Sequence, residues 1–182
     1  MQKLAYLMVI IFYAFQQPSS TTKLNEDEKK LYQLINTYRK VHKLPPIPLS
    51  KSLTFVAQVH AKDLAINEPV TSKCNLHSWS DKGNWTSCCY TNDHKKAACM
   101  WSKPRELTSY KGNGYEISYS SSLENDPEIA KNALNTWKTS APHNNVIINQ
   151  ANWKNKQWNA IGIGIKKGYA MIWFGEEKDD EK

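Results

Sequence analysis

Apolar positions along the chain change their period several times, and each change marks an element. From Asn25, in NEDEKKLYQLINTYRKVHKL, Leu31, Leu34, Ile35, Tyr38 and Val41 recur at helical spacing. Asn25 and Glu28 have the form of a capping box, so an amphipathic helix is predicted. Pro45, Pro46 and Pro48 forbid its continuation. Ser50 can then cap a second helix, in which Leu53, Val56, Ala57, His60, Ala61 and Leu64 share a face and which ends before Pro69. Tyr115, Ile117 and Tyr119 alternate with Glu116 and Ser118, the period of a short strand. Asp126-Pro127-Glu128 opens a third helix with Ile129, Ala130, Ala133, Leu134 and Trp137 on one face. After Pro142, residues 143–149 form a short apolar helical turn. WNAIGIGIKKGYAMIWFG reads as a β-hairpin around Lys166-Lys167-Gly168. The fold class is α+β, a sandwich of helices and a small sheet.

Two stretches depart from this regularity. Met-Gln-Lys is followed by an uncharged run from Leu4 to Phe15, and then by polar Gln16 to Ser20. The run is shorter than the ~20 residues that cross a bilayer, so residues 1–20 read as a signal peptide cleaved between Ser19 and Thr22, with an uncleaved anchor as the alternative. A secreted, extracellular domain over residues 23–176 is expected, followed by an acidic, solvated tail over 177–182, and no stable membrane insertion after cleavage. The second stretch, Thr71 to Lys111, lacks periodicity and draws its order from cysteines and from Trp79, Trp85 and Trp101.

All four cysteines, Cys74, Cys88, Cys89 and Cys99, lie in that segment, and in a secreted chain they imply two disulfides. Adjacent Cys88 and Cys89 argue against a zinc site and against a bridge between neighbours. Cys74–Cys88 with Cys89–Cys99, or Cys74–Cys89 with Cys88–Cys99, both remain. Asn84-Trp85-Thr86 is a glycosylation sequon. The net charge of +7 favours acidic partners, but the lysines are scattered rather than gathered into a patch.

Candidate chemistry centres on histidine. Of five, His60, His77 and His143 lie where local structure aims them inward, while His42 and His94 read as solvent-facing. Glu116, in an otherwise apolar strand, is costly to bury without partners such as histidine.

At this point the chain resembles the CAP superfamily of cysteine-rich secretory, antigen 5 and pathogenesis-related proteins, also called SCP-domain proteins. The resemblance rests on HAKDLA (60–65), LHSWS around His77, GNGYEIS around Glu116, WKTSAPHNNVIIN (137–149), and the closing GIGI and YAMIWFG. It implies a three-layer α-β-α sandwich whose central cavity gathers His77, Glu116 and His143. Where animal members carry a second glutamate, this chain has Ser140. It also implies that His77 and His143 hold zinc or another divalent ion weakly, since two protein ligands are fewer than the three usual in catalytic zinc sites.

The function implied is binding of a lipid, sterol or other hydrophobic small molecule. The alternative is an extracellular metal-dependent hydrolase with Glu116 as general base. Two histidines, a glutamate and a basic surface also suit a ribonuclease, but the match to a different fold argues against it and no nucleic acid partner is expected.

Overall fold

The computed structural model describes residues 22–180 and builds one antiparallel sheet with helices on both faces. The predicted signal peptide and the last two residues of the tail lie outside the described residues. The elements are α1 (Glu26–Val41), α2 (Lys51–Asn67), α3 (Ala97–Trp101), α4 (Lys103–Leu107), β1 (Gly114–Ser120), α5 (Ile129–Thr139), α6 (Ala141–Ile147), β2 (Ala160–Lys166) and β3 (Tyr169–Gly175). A 3-10 turn, Ala151–Trp153, lies between α6 and β2. In the sheet the order is β1-β3-β2.

Strand periodicity separates two cores. Ala170, Ile172 and Phe174 of β3, with Ile117, Ile161 and Ile163, face α1, α5 and α6, while Met171 and Trp173 face α2 and the disulfide segment. The central strand is thus buried on both sides, which is why it reads as a continuous apolar run. Helices flank the sheet on both faces, as the three-layer expectation required.

Glycine sets the spacing of the α2 layer. A β-carbon on Gly162 would lie 2.0 Å from the carbonyl carbon of Leu53, and one on Gly164 would lie 2.2 Å from that of Ala57. Both strand positions therefore exist without side chains so that the α2 backbone can rest directly on β2.

Most predicted boundaries hold. Asn25 and Glu28 close the capping box reciprocally, each bond 2.9 Å, and the Ser50 hydroxyl accepts from the Leu53 N–H. Asp126 bonds the Glu128 N–H, but helical geometry begins only at Ile129. Val41, assigned to the apolar face of α1, is 73% exposed, because the buried row runs through Leu31, Ile35 and Arg39, and Val41, two residues beyond Arg39, points away from it. Buried Arg39 instead anchors that end of α1, donating to the carbonyls of Pro45 and Ile147 and to Asn149 Oδ1. Burial lowers its pKa to about 10.

The tail is not a solvated end as far as Asp179. That carboxylate accepts from the Ser50 hydroxyl (2.6 Å), the Ser52 N–H (2.8 Å) and the Ser52 hydroxyl (2.9 Å), sitting over the unpaired N–H groups at the start of α2. Helix-terminus electrostatics outweigh chain-end entropy here.

Gly164→Ala is expected to destabilise the protein by about 1–3 kcal/mol through overpacking, read as a lower midpoint in urea. An unchanged midpoint would mean that α2 does not rest on β2 as described.

Candidate functional site

Two elements and one cross-linked loop bring the polar groups together. On β1, Tyr115, Ile117 and Tyr119 turn to the α1 side, so Glu116 must face α2. His60 lies on the apolar face of α2, which the strand glycines hold against the sheet. Its Nδ1 stands 2.5 Å from Glu116 Oε2. The third group comes from the loop: His77 Nδ1 is 2.7 Å from Glu116 Oε1.

That loop is tightly specified. Disulfides join Cys74 to Cys89 and Cys88 to Cys99, the second of the two pairings compatible with the sequence. Trp79 and Cys88 form a two-way backbone bridge, and Ser80 donates to Asp63 of α2 through its N–H (2.8 Å) and its hydroxyl (2.5 Å). The Trp79 indole stacks on His60, with ring centroids 4.3 Å apart and planes 7° from parallel.

Hydrogen-bond logic fixes the protons. Burial pushes the Glu116 carboxyl up, but His60 and His77 together outweigh it and hold its pKa below the ordinary carboxylate range. An ionised carboxylate only accepts, so both Nδ1 atoms donate to it. His60 Nε2 faces the Ser78 carbonyl at 3.0 Å, which also only accepts, so His60 carries two protons and its charge neutralises Glu116. For His77 the consequence differs. With Nδ1–H committed to Glu116, its Nε2 is left for a ligand.

His77 and Glu116 border a half-open cavity of about 590 Å³. His143 lies on the same cavity, its Nδ1 2.8 Å from the Ser140 hydroxyl. Burial, and less strongly the repulsion that neighbouring His77 exerts when its ring is protonated, hold its pKa below the usual histidine range. Ser140 does not reach the cavity surface as expected; it sits behind His143 at the junction of α5 and α6, where its hydroxyl orients the imidazole. His94 is exposed, as expected, yet borders the cavity and pairs with the Tyr90 hydroxyl at 3.0 Å. Three aromatic rings make a wall: Trp101, Tyr115 and Trp153 follow one another at 5.6 and 5.1 Å. Asn84, the sequon residue, is exposed.

The sequence-predicted trio therefore shares one cavity, but Glu116 is not free within it. His60, read as inward-facing, is the residue missed as its partner. Both Glu116 oxygens face imidazoles, and among the described residues no three His, Cys, Asp or Glu side chains form a metal-holding group. The donor set does not fit a catalytic zinc site.

The family model described as the cysteine-rich secretory protein family, CAP, matches residues 32–170. The chain belongs to that family. Solved structures agree on the CAP fold. An extracellular SCP-domain protein of Bacillus anthracis matches with a TM-score of 0.57 at 18% identity, covering 83% of this chain and 40% of that one. An outer surface protein of Borrelia burgdorferi matches with a TM-score of 0.57 at 20% identity, covering 86% and 96%. A search of curated proteins gave no significant match. The CAP chain thus spans well under two thirds of the Bacillus protein and nearly all of the Borrelia one. Among the described residues, no helix is long and apolar enough to cross a membrane.

Acid should act on this CAP domain in two steps. His143 and Glu116 both have folded pKa values below their unfolded ones. Each therefore stabilises the fold above its ordinary value, 6.5 and 4.5 respectively, and the contribution is lost as pH falls through the folded value. Melting temperature is expected to fall first below pH 6.5 and again below pH 4.5. Glu116→Gln should cost about 3 kcal/mol at pH 7, leaving His60 unpaired, and should flatten the second step. An unaltered acid limb in that variant would contradict the assignment.

Proposed function

We propose that this CAP domain is an extracellular binding protein whose cavity takes up an uncharged small molecule with at least one apolar face. The observation that carries this reading is the cavity itself. Its volume lies within the ~300–1,000 Å³ of sites that enclose small ligands, and its walls combine aromatic rings with a few oriented polar groups. No lysine or arginine lines it, and its one carboxylate is already neutralised by His60. Strongly charged ligands would find no partner there. The leader-like start of the sequence and the two disulfides support an extracellular setting.

A lipid or sterol meets this description, and so does any neutral molecule with an apolar surface. The hydrolase alternative is less well supported, since Glu116 is buried and accepts from an imidazole at each oxygen, and the two histidines lower its pKa and so weaken it as a base. Zinc held by the Nε2 atoms of His77 and His143 would have two protein donors and would be loose and pH-sensitive. Chelator is accordingly expected to leave the melting temperature within about 1 °C of its value in untreated protein, as little binding energy is linked to folding.

Nile red, an uncharged dye, should bind saturably with one site per chain. Trp153→Ala should weaken that binding about tenfold, a change of ~1.4 kcal/mol, while the protein stays folded. Dye binding that does not saturate, or that survives the substitution unchanged, would remove the cavity as the ligand site.

A further inference from the structure

The geometry points to a neutral sugar as the ligand: an oligosaccharide whose rings lie against Trp101, Tyr115 and Trp153 while its hydroxyls bond Asn145, Asn152 and His143. This inference rests on the cavity being the ligand site and names the chemistry that best fits it.

The aromatic wall is the first ground. Adjacent ring planes are turned by 61° and 72°, so the three rings form a folded wall rather than a flat stack, and all three remain partly exposed. Such rings present π faces that suit the C–H faces of a sugar. An acyl chain would use them too, so the polar groups decide.

Those groups are interleaved with the rings and have spare capacity. The side-chain amides of Asn145 and Asn152 bond no other described residue, leaving two donors and an acceptor on each. The Nε2 atoms of His77, His94 and His143 are likewise without a described partner. A sugar hydroxyl both donates and accepts, which matches amides and imidazoles alike. A lipid chain would strip water from the same groups and return no hydrogen bond.

Charge narrows the class further. Lys156 stands over the Tyr115 ring at 5.4 Å, but its ammonium is paired with Glu176 at 2.6 Å. An anionic glycan would meet no free cation among the lining residues, and a cationic one no free carboxylate.

The wall is also built in advance. Ala151, beside Asn152 and Trp153, has φ 51°, a left-handed conformation that is costly for a residue with a β-carbon. Asn149, at the same φ, holds the turn by donating to the Lys156 carbonyl and accepting from buried Arg39. A backbone held this way presents its side chains before any ligand arrives.

The test is a glycan array carrying neutral and anionic oligosaccharides, followed by calorimetry on the best neutral one and by Nile red binding. Wild type should bind neutral glycans with an affinity unchanged between 50 and 500 mM salt, as an uncharged interaction requires. Asn145→Leu should weaken glycan binding at least tenfold yet leave Nile red binding equal or tighter, since it replaces an amide with an apolar group. Asn152→Leu serves as a second variant should the first fail to fold. If no neutral glycan binds, or anionic glycans bind with steep salt dependence, while Nile red still saturates at one Trp153-dependent site, the sugar inference fails and the cavity reading stands. If the dye also fails to bind there, both fall.

Discussion

A carboxylate taken out of water needs compensating charge and hydrogen bonds, and in this protein that requirement falls on Glu116. It is almost fully buried in the middle of a strand whose neighbours are apolar. His60 and His77 each donate one N–H to it, and these bonds tie together the sheet, α2 and the disulfide segment. Either histidine alone would leave one carboxylate oxygen without its imidazole. The pair of bonds converts an electrostatic liability into a three-way junction between parts of the chain that are remote in sequence.

The rest of the architecture makes that junction possible. Gly162 and Gly164 let α2 approach closely enough for His60 to reach β1 across the sheet face. The two disulfides hold a stretch that has little regular structure of its own, so that His77 meets Glu116 at a defined angle. Behind the junction, Trp79 covers His60 by stacking and, with Trp173, walls it off from water. In front of it lies the cavity, which receives the remaining nitrogen of His77. One set of contacts therefore serves stability on its inner side and leaves a ligand-facing surface on its outer side.

Much of this was legible in the residues. Helical and strand periods located α1, α2, α5 and the hairpin, because those elements bury stripes whose spacing is set by backbone geometry. Glu116 stood out for the same reason, as a charge breaking an apolar strand. What could not be read was pairing at a distance. His60 has the spacing of a core residue, and only the docking of α2 on the sheet reveals that its neighbour is a carboxylate. Asp179 looked like part of a solvated tail because its attraction to the start of α2 depends on where the chain returns in space. The aromatic wall was equally hidden. Trp101, Tyr115 and Trp153 come from three separate segments with no shared period, and the short helices α3 and α4 lack enough turns to show one.

Nuclear magnetic resonance of the histidine ring nitrogens tests the shared carboxylate most directly. At pH 7 the account predicts that Nδ1 of both His60 and His77 carries a proton, that His60 Nε2 does as well, and that all three assignments shift together in Glu116→Gln. An unprotonated Nδ1 on either ring in the wild-type protein would contradict it.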